Sequence, residues 1–192
     1  MSSQKFLGLD ISLTGSGACI IDSDYSIIKT TLISVKPEET GLRLFLIRNE
    51  LQEFLKDYRN QVTLCCIEGP SFGSKDGGRL FQIGECTGVL KLMLFELGIP
   101  LAIAVPSQLK KYISGTGKDV KKEHIMLDIY KRYGVELRDN NVADAYVLSR
   151  ICRDYSSLTA NNKIPEGILK FQEEVLKAMC KTHKVTSENP LL

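Results

Sequence analysis

KFLGLDISLTGSGACIID, residues 5–22, decides the fold. Two apolar runs, 5–11 and 17–22, flank the stretch SLTGS, whose serine, threonine and glycine favour a turn. The spacing predicts two strands joined by a short connection, and the first strand ends on Asp10. A second compact apolar run, VTLCCIE at 62–68, also ends on a carboxylate, Glu68, and Gly69–Pro70 breaks it at once. A third acid, Asp144, stands in NNVADAYVLSR near the start of a helical segment. Each carboxylate is placed at the end of an element, from which all three could be aimed into one pocket.

Outward from these points, residues 27–33 read as a further strand. Leu42, Phe45, Leu51, Phe54, Leu55 and Tyr58 recur at helical spacing over 41–58. The polar, glycine-rich SFGSKDGG (71–78) reads as a loop. A long helix is expected over 79–97, with Gly84 and Gly88 on one face as small residues for close packing on a sheet. A strand over 101–106, a short helix over 107–113 and helices near 119–133 and 140–157 follow. Strand and helix alternate as in an α/β protein with a mixed sheet flanked by helices. Residues 1–158 read as one domain, and 159–192 as a tail with one amphipathic helix in IPEGILKFQEEVLKAMCK. That helix could serve a dimer contact or pack on its own subunit.

The 192 residues suffice for one ordinary domain with a substantial core. A net charge of +2 does not by itself identify a nucleic-acid binder, because local patches matter more than the total. No apolar run is long enough to span a membrane, and the N-terminal residues lack a secretory signal's hydrophobic stretch. The cysteines, Cys19, Cys65, Cys66, Cys86, Cys152 and Cys180, form no CxxC pair and read as reduced core residues of a cytosolic protein. With only His124 and His183 in the chain, a zinc site is not expected.

Carboxylates with little histidine are the usual means of holding magnesium or manganese, which prefer hard oxygen ligands. Two such ions can position an attacking water and a leaving oxygen in phosphodiester cleavage. Against this stand blander readings: Asp10 as a turn residue, Asp144 in a first helical turn complementing the helix dipole, and Asp139 as the cap of that helix. Asn141 lies three residues before Asp144, so the two share a helix face.

In combination, these segments resemble the RuvC-type Holliday-junction resolvases of the RNase H-like superfamily. GLDISLTGSGACII is similar to that family's first strand, turn and second strand; CIEGPSF to its second acidic segment; RLFQIGECTGVL to the following helix. VPSQLKKYISGTGKDVKKEHI resembles the lysine-bearing segment and NNVADAYVLSRI the final acidic helix. The resemblance covers roughly residues 6–153 and implies an RNase H-like mixed sheet flanked by helices. It implies Asp10, Glu68 and Asp144 as ligands of two Mg²⁺ or Mn²⁺ ions. Asn141 occupies a position where the bacterial pattern has aspartate, and would contribute an uncharged oxygen in an outer or weaker role, with Asp139 a possible substitute.

The resemblance further assigns Lys121 a role beside the scissile phosphate. It gives Lys110 a DNA-binding role; the basic stretch that also holds Lys111, Lys118 and Lys122 reads, beside the three acids, as a phosphate contact rather than a solvated helix face, and the loop after Glu68 adds Lys75 and Arg79. Phe72 is a candidate for stacking at the junction centre, if one residue is inserted relative to the family pattern. The implied activity is metal-dependent endonuclease cleavage of four-way junctions, flaps or forks by a twofold homodimer, in a bacterial cell or phage-infected host. Two alternatives are a non-catalytic branched-DNA-binding protein and an ATP-binding domain of the actin or sugar-kinase kind, the latter suggested by LDISLTGSG.

Overall fold

The computed structural model describes residues 4–36, 39–69, 77–117 and 122–182. The first elements are the strands β1 (Lys5–Asp10), β2 (Ser16–Asp22) and β3 (Ile27–Ile33), then helix α1 (Thr40–Leu55) and β4 (Val62–Glu68). Helix α2 (Gly77–Glu96), β5 (Leu101–Ala104), α3 (Pro106–Ser114), α4 (Lys122–Tyr133), α5 (Asn140–Asn161) and α6 (Lys170–Thr182) complete the chain. The strands form one sheet in the order β3-β2-β1-β4-β5. β1, β2 and β3 are antiparallel neighbours, whereas β4 and β5 run parallel to β1, so the sheet is mixed.

Strand alternation divides the core into two layers. Leu7, Leu9, Ala18, Ile20, Cys65 and Ile67 face α1 and α2, together with Ile47, Leu51, Leu90 and Leu94. Phe6, Cys19, Ile21, Leu64, Cys66 and Ala102 face the other side and pack with Leu109, Ile129, Tyr146, Ile151 and Leu176 of α3 to α6. Because β1 and β4 are buried on both faces, they read as continuous apolar runs rather than as alternating ones. α5 is the central helix of the second layer, with residues Val142 to Ser149 all buried.

At the far end of α5 from its N-terminus, the buried Asp154 accepts hydrogen bonds from Tyr25 Oη at 2.6 Å and from Tyr112 Oη. Arg153 Nη1 donates to the same carboxylate at 3.1 Å, so the charge is compensated within the core. Five cysteines are buried and in no disulfide, while Cys180 is exposed. Burial pushes the Cys19 and Cys66 thiols up to about 12.

Four expectations need correction. Gly84 and Gly88 do not face the sheet: a β-carbon at either would meet open space, so their face of α2 points outward. The strand after α2 ends at Ala104, because Pro106, whose ring fixes a helical φ, starts α3. The tail helix starts at Lys170 rather than near Ile164, since Gly167 adopts a φ of +77° that a helix does not accommodate. Gly77 and Gly78, expected in a loop, already belong to α2. Among the described residues no helix is long and apolar enough to cross a membrane.

Candidate active site

Alternation also decides where the acids lie. Asp10 has the parity of Phe6 and Gly8, and Glu68 that of Leu64 and Cys66, so both carboxylates belong to the α5 face. Leu9 pairs with Ile67 across the parallel β1–β4 ladder, so one step further on Asp10 and Glu68 are neighbours at the carboxyl ends of adjacent strands. Neighbouring strands lie about 4.8 Å apart, which sets the backbone spacing of the two acids. On the other flank Asp10 pairs with Gly17.

Glycine lets α5 reach this edge. A β-carbon at Gly17 would collide with the carbonyl carbon and oxygen of Asn141 and lie 2.8 Å from the Val142 nitrogen. At Gly8 it would collide with the Ala145 carbonyl oxygen and the Ser149 nitrogen. α5 therefore rests on the backbone of β1 and β2 at two points, and Asp144 lies between them in sequence. Gly15, in the turn after Asp10, faces the Asn141 carboxamide, whose nitrogen would be 3.2 Å from a β-carbon there. That turn is closed by Ser16 Oγ, which donates to Ser12 O at 2.7 Å and accepts from Ser12 N at 3.0 Å.

Asp139 caps α5, its Oδ1 accepting from Asn141 N at 2.8 Å and Val142 N at 3.0 Å. With Asp139 as the cap, Asp144 falls in the second turn and not the first, which removes the simplest dipole explanation for it. Asp10 and Asp144 are 7% and 8% exposed, against the general rule that aspartate stays in water. Glu68 is half-buried. Each of the three acids has a polar or electrostatic partner.

The donor set around this edge is oxygen throughout: three carboxylates and the Asn141 amide. It suits a hard divalent cation and not zinc or copper, since the buried cysteines point into the apolar layers. Among the described residues, no three His, Cys, Asp or Glu side chains are drawn together into a ready metal shell. Asp10 and Glu68 thus end adjacent strands, and Asp144 lies on the helix packed over them.

The remaining candidates divide into two groups. Lys110 is half-buried on α3, and Lys111 Nζ pairs with Glu174 Oε2 of α6 at 2.7 Å. Phe72, Lys75, Lys118 and Lys121 lie outside the described residues, as do the side chains of Arg79 and Lys122. Sequence reasoning missed the support around α3. Gln172 of α6 donates from Nε2 to Tyr112 O at 3.1 Å and to Tyr133 Oη at 2.9 Å, and Arg132 Nε donates to Ile113 O at 3.1 Å. Only the amphipathic spacing of α6 hinted at this, and spacing does not say what a helix packs on.

A mixed five-stranded sheet in this order, flanked by helices and carrying acids at the ends of its first and fourth strands, is an RNase H-like fold. The profile described as "Crossover junction endodeoxyribonuclease RuvC" matches residues 6–152, and the chain belongs to that family. It is 28% identical over 154 residues to the crossover junction endodeoxyribonuclease RuvC of Ruegeria pomeroyi, covering 79% of this chain and 91% of that one. The Syntrophomonas wolfei protein of the same name is 28% identical over 158 residues, covering 79% and 89%. Among solved structures, "T. thermophilus RuvC in complex with Holliday junction substrate" shares the fold with a TM-score of 0.65 at 20% identity, covering 76% of this chain and 90% of that one.

Proposed function

We propose that this chain is a structure-selective endonuclease that cleaves Holliday junctions or related branched DNA by metal-dependent phosphodiester hydrolysis. The observation that carries this reading is the meeting of Asp10 and Glu68 at adjacent strand ends, under the helix that bears Asn141 and Asp144. Membership of the crossover junction endodeoxyribonuclease family makes branched DNA the substrate class to test first.

In this reading Asp10, Glu68 and Asp144 hold the cation, Mg²⁺ or Mn²⁺, in two copies, and Asn141 adds a neutral oxygen to one of them or to its water. When bound, the metal would supply a water of lowered pKa and Lewis-acid stabilisation of the phosphate and leaving oxygens. The chain's own residues do the rest. The Gly8 and Gly17 contacts hold α5 against the sheet, so that Asp144 keeps a fixed relation to Asp10. Burial of Asp10 and Asp144 keeps bulk water from screening their charge, which strengthens their pull on a cation. Lys121 would offset charge developing on the scissile phosphate. Lys110, Lys111, Lys118, Lys122, Lys75 and Arg79 contact neighbouring phosphates, and Phe72 stacks on a base at the branch.

Resolution of a four-way junction requires two symmetric cuts, and thus two copies of the site. The outward face of α2 suits a twofold contact. Phe81, Leu92 and Phe95 are 68%, 59% and 46% exposed, and they share one side of the helix with Gly84 and Gly88. A notch of two glycines flanked by aromatic residues lets a second α2 cross closely, each ring filling the partner's gap. The test of function is side-by-side incubation of labelled four-way junction, flap and linear duplex with Mg²⁺, Mn²⁺ or a chelator. Junction cleavage that needs the metal supports the reading. Binding without cleavage in any metal would favour a non-catalytic junction-binding protein.

A further inference from the structure

Helix α6 lies beyond residues 6–152, the part of the chain that the family profile matches. It nevertheless contacts the end of α3, the helix that carries Lys110 and Lys111. The last carbonyls of any α-helix lack intrahelical partners, and their hydrogen bonds must come from elsewhere. Here Tyr112 O accepts from Gln172 of α6 and Ile113 O from Arg132 of α4. Gln172 is 5% exposed; its Oε1 accepts from Leu169 N at 3.1 Å, and its Nε2 also donates to Tyr133 Oη. Every polar atom of its carboxamide is thus directed by the fold.

Phe171 completes the arrangement. Gly115 ends α3 with a φ of +85°, and a β-carbon there would lie 3.5 Å from the Phe171 ring. The Arg132 guanidinium lies 5.2 Å from the ring centroid, so the ring is held between a cation and the Gly115 turn. From this turn the chain runs back beside the start of α3, where Gly117 approaches Ser107 O with 3.0 Å left for a β-carbon. Ser107 lies three residues after Ala104, the residue paired with Glu68. Gly115–Gly117 is therefore directed toward the sheet edge that bears the acids, and the lysine-bearing stretch continues covalently from it.

We propose that Phe171 and Gln172 of α6 are positioning residues for the cleavage reaction. By closing the C-terminus of α3 and fixing the path of Gly115–Gly117, they set how α3, with Lys110 and Lys111, is presented beside the sheet edge that bears Glu68. The inference rests on the nuclease reading, but the contact itself is tested separately. Neither side chain touches the reacting atoms, and both act through α3 and the turn. A displacement of about 1 Å at a catalytic centre can cost roughly 100-fold in rate, so a loosened turn registers in the chemical step before it registers in binding.

The experiment compares Phe171→Ala, Gln172→Ala and Phe171→Tyr in the full chain, with two readouts. Single-turnover junction cleavage should slow by about tenfold or more in the two alanine variants, while junction Kd, measured in an Asp10→Asn background, changes by less than about threefold. Phe171→Tyr, which keeps the ring, should restore the rate. Amide hydrogen exchange at Gly115–Gly117 should quicken by about tenfold or more in Phe171→Ala with the core strands unaffected. Wild-type cleavage rates in both alanine variants would overturn the proposal, and so would unchanged exchange at the turn. Loss of rate only in proportion to global unfolding would overturn it as well. Should the wild type cleave no junction at all, the nuclease reading fails, and the exchange result still decides whether α6 holds the turn.

Discussion

Gly17 and Asn141 are in backbone contact: the Asn141 carbonyl oxygen fills the space that a β-carbon at Gly17 would need. The contact fixes the start of α5 over the pair of strands that carries Asp10. Gly17→Ala must push the helix off the strand, an overpacking cost of about 1–3 kcal/mol. Urea denaturation is expected to show that loss, with junction cleavage falling more steeply than stability. An alanine variant with wild-type stability and rate would mean that α5 can shift without consequence for the site.

Asp139 separates capping from metal binding. Its Oδ1 accepts from two backbone N–H groups, so removing it leaves those donors unsatisfied. Asp139→Ala should cost about 1 kcal/mol, whereas Asp139→Asn keeps a capping oxygen and loses the charge. Cleavage by Asp139→Asn is expected to stay within about threefold of wild type, consistent with a cap residue that ranks with asparagine in this role. A large loss in the asparagine variant with stability intact would make Asp139 a ligand.

The outward α2 face gives the most direct handle on assembly. Leu92→Glu places a charge where two copies of the helix are proposed to meet, and burial of an unpaired charge is costly. Light scattering should find the wild type as a dimer and the variant as a monomer with unchanged helical content. The monomer is expected to nick one strand where the dimer makes paired cuts. A dimeric Leu92→Glu protein would remove this face from consideration.

Alkaline stability follows from the buried thiols. Burial pushes Cys19 and Cys66 up to about 12 and Cys86 up to about 11, from an ordinary value of 9.0. The unfolded chain loses these protons near pH 9, while the folded chain retains them until pH 11–12, so the folded state binds more protons in that window. Stability is accordingly full below about pH 9 and falls as pH rises toward 12. Chemical denaturation at pH 7, 9 and 10.5 should give a midpoint that is flat and then declining. In the native protein at pH 8, the exposed Cys180 should react with a thiol reagent far faster than the other five.

The elements that position the acids were legible because β1 and β4 are short, apolar and each end on a carboxylate. The third strand and VTLCCIE match the observed β3 and β4 residue for residue. What periodicity does not contain is the identity of the packing partner. Gly84 and Gly88 read as a helix face made for close approach, and small residues signal approach without saying to what. The glycines that do bring a helix onto the sheet are Gly8 and Gly17, inside the runs 5–11 and 17–22 that read as strands, where strand periodicity does not report a helix resting on them. Asp144 reads as a first-turn residue, yet a helix that starts at 140 behind the Asp139 cap already puts it in the second turn. The support of α3 by Gln172 and Arg132 joins residues far apart in the chain, and no local pattern reports such contacts.

The central claim is that Asp10 and Asp144 form a metal-dependent site that cuts branched DNA. Its most direct measurement is single-turnover cleavage of a labelled four-way junction by wild type, Asp10→Asn and Asp144→Asn, with junction Kd recorded alongside in chelator. The account predicts that the wild type cuts the junction only with Mg²⁺ or Mn²⁺ and leaves linear duplex intact. Both variants should lose about 100-fold or more in rate, which is about 2.7 kcal/mol of transition-state stabilisation, and bind the junction within about threefold of wild type. Cleavage by Asp10→Asn at the wild-type rate, or equal cutting of linear duplex, would contradict it.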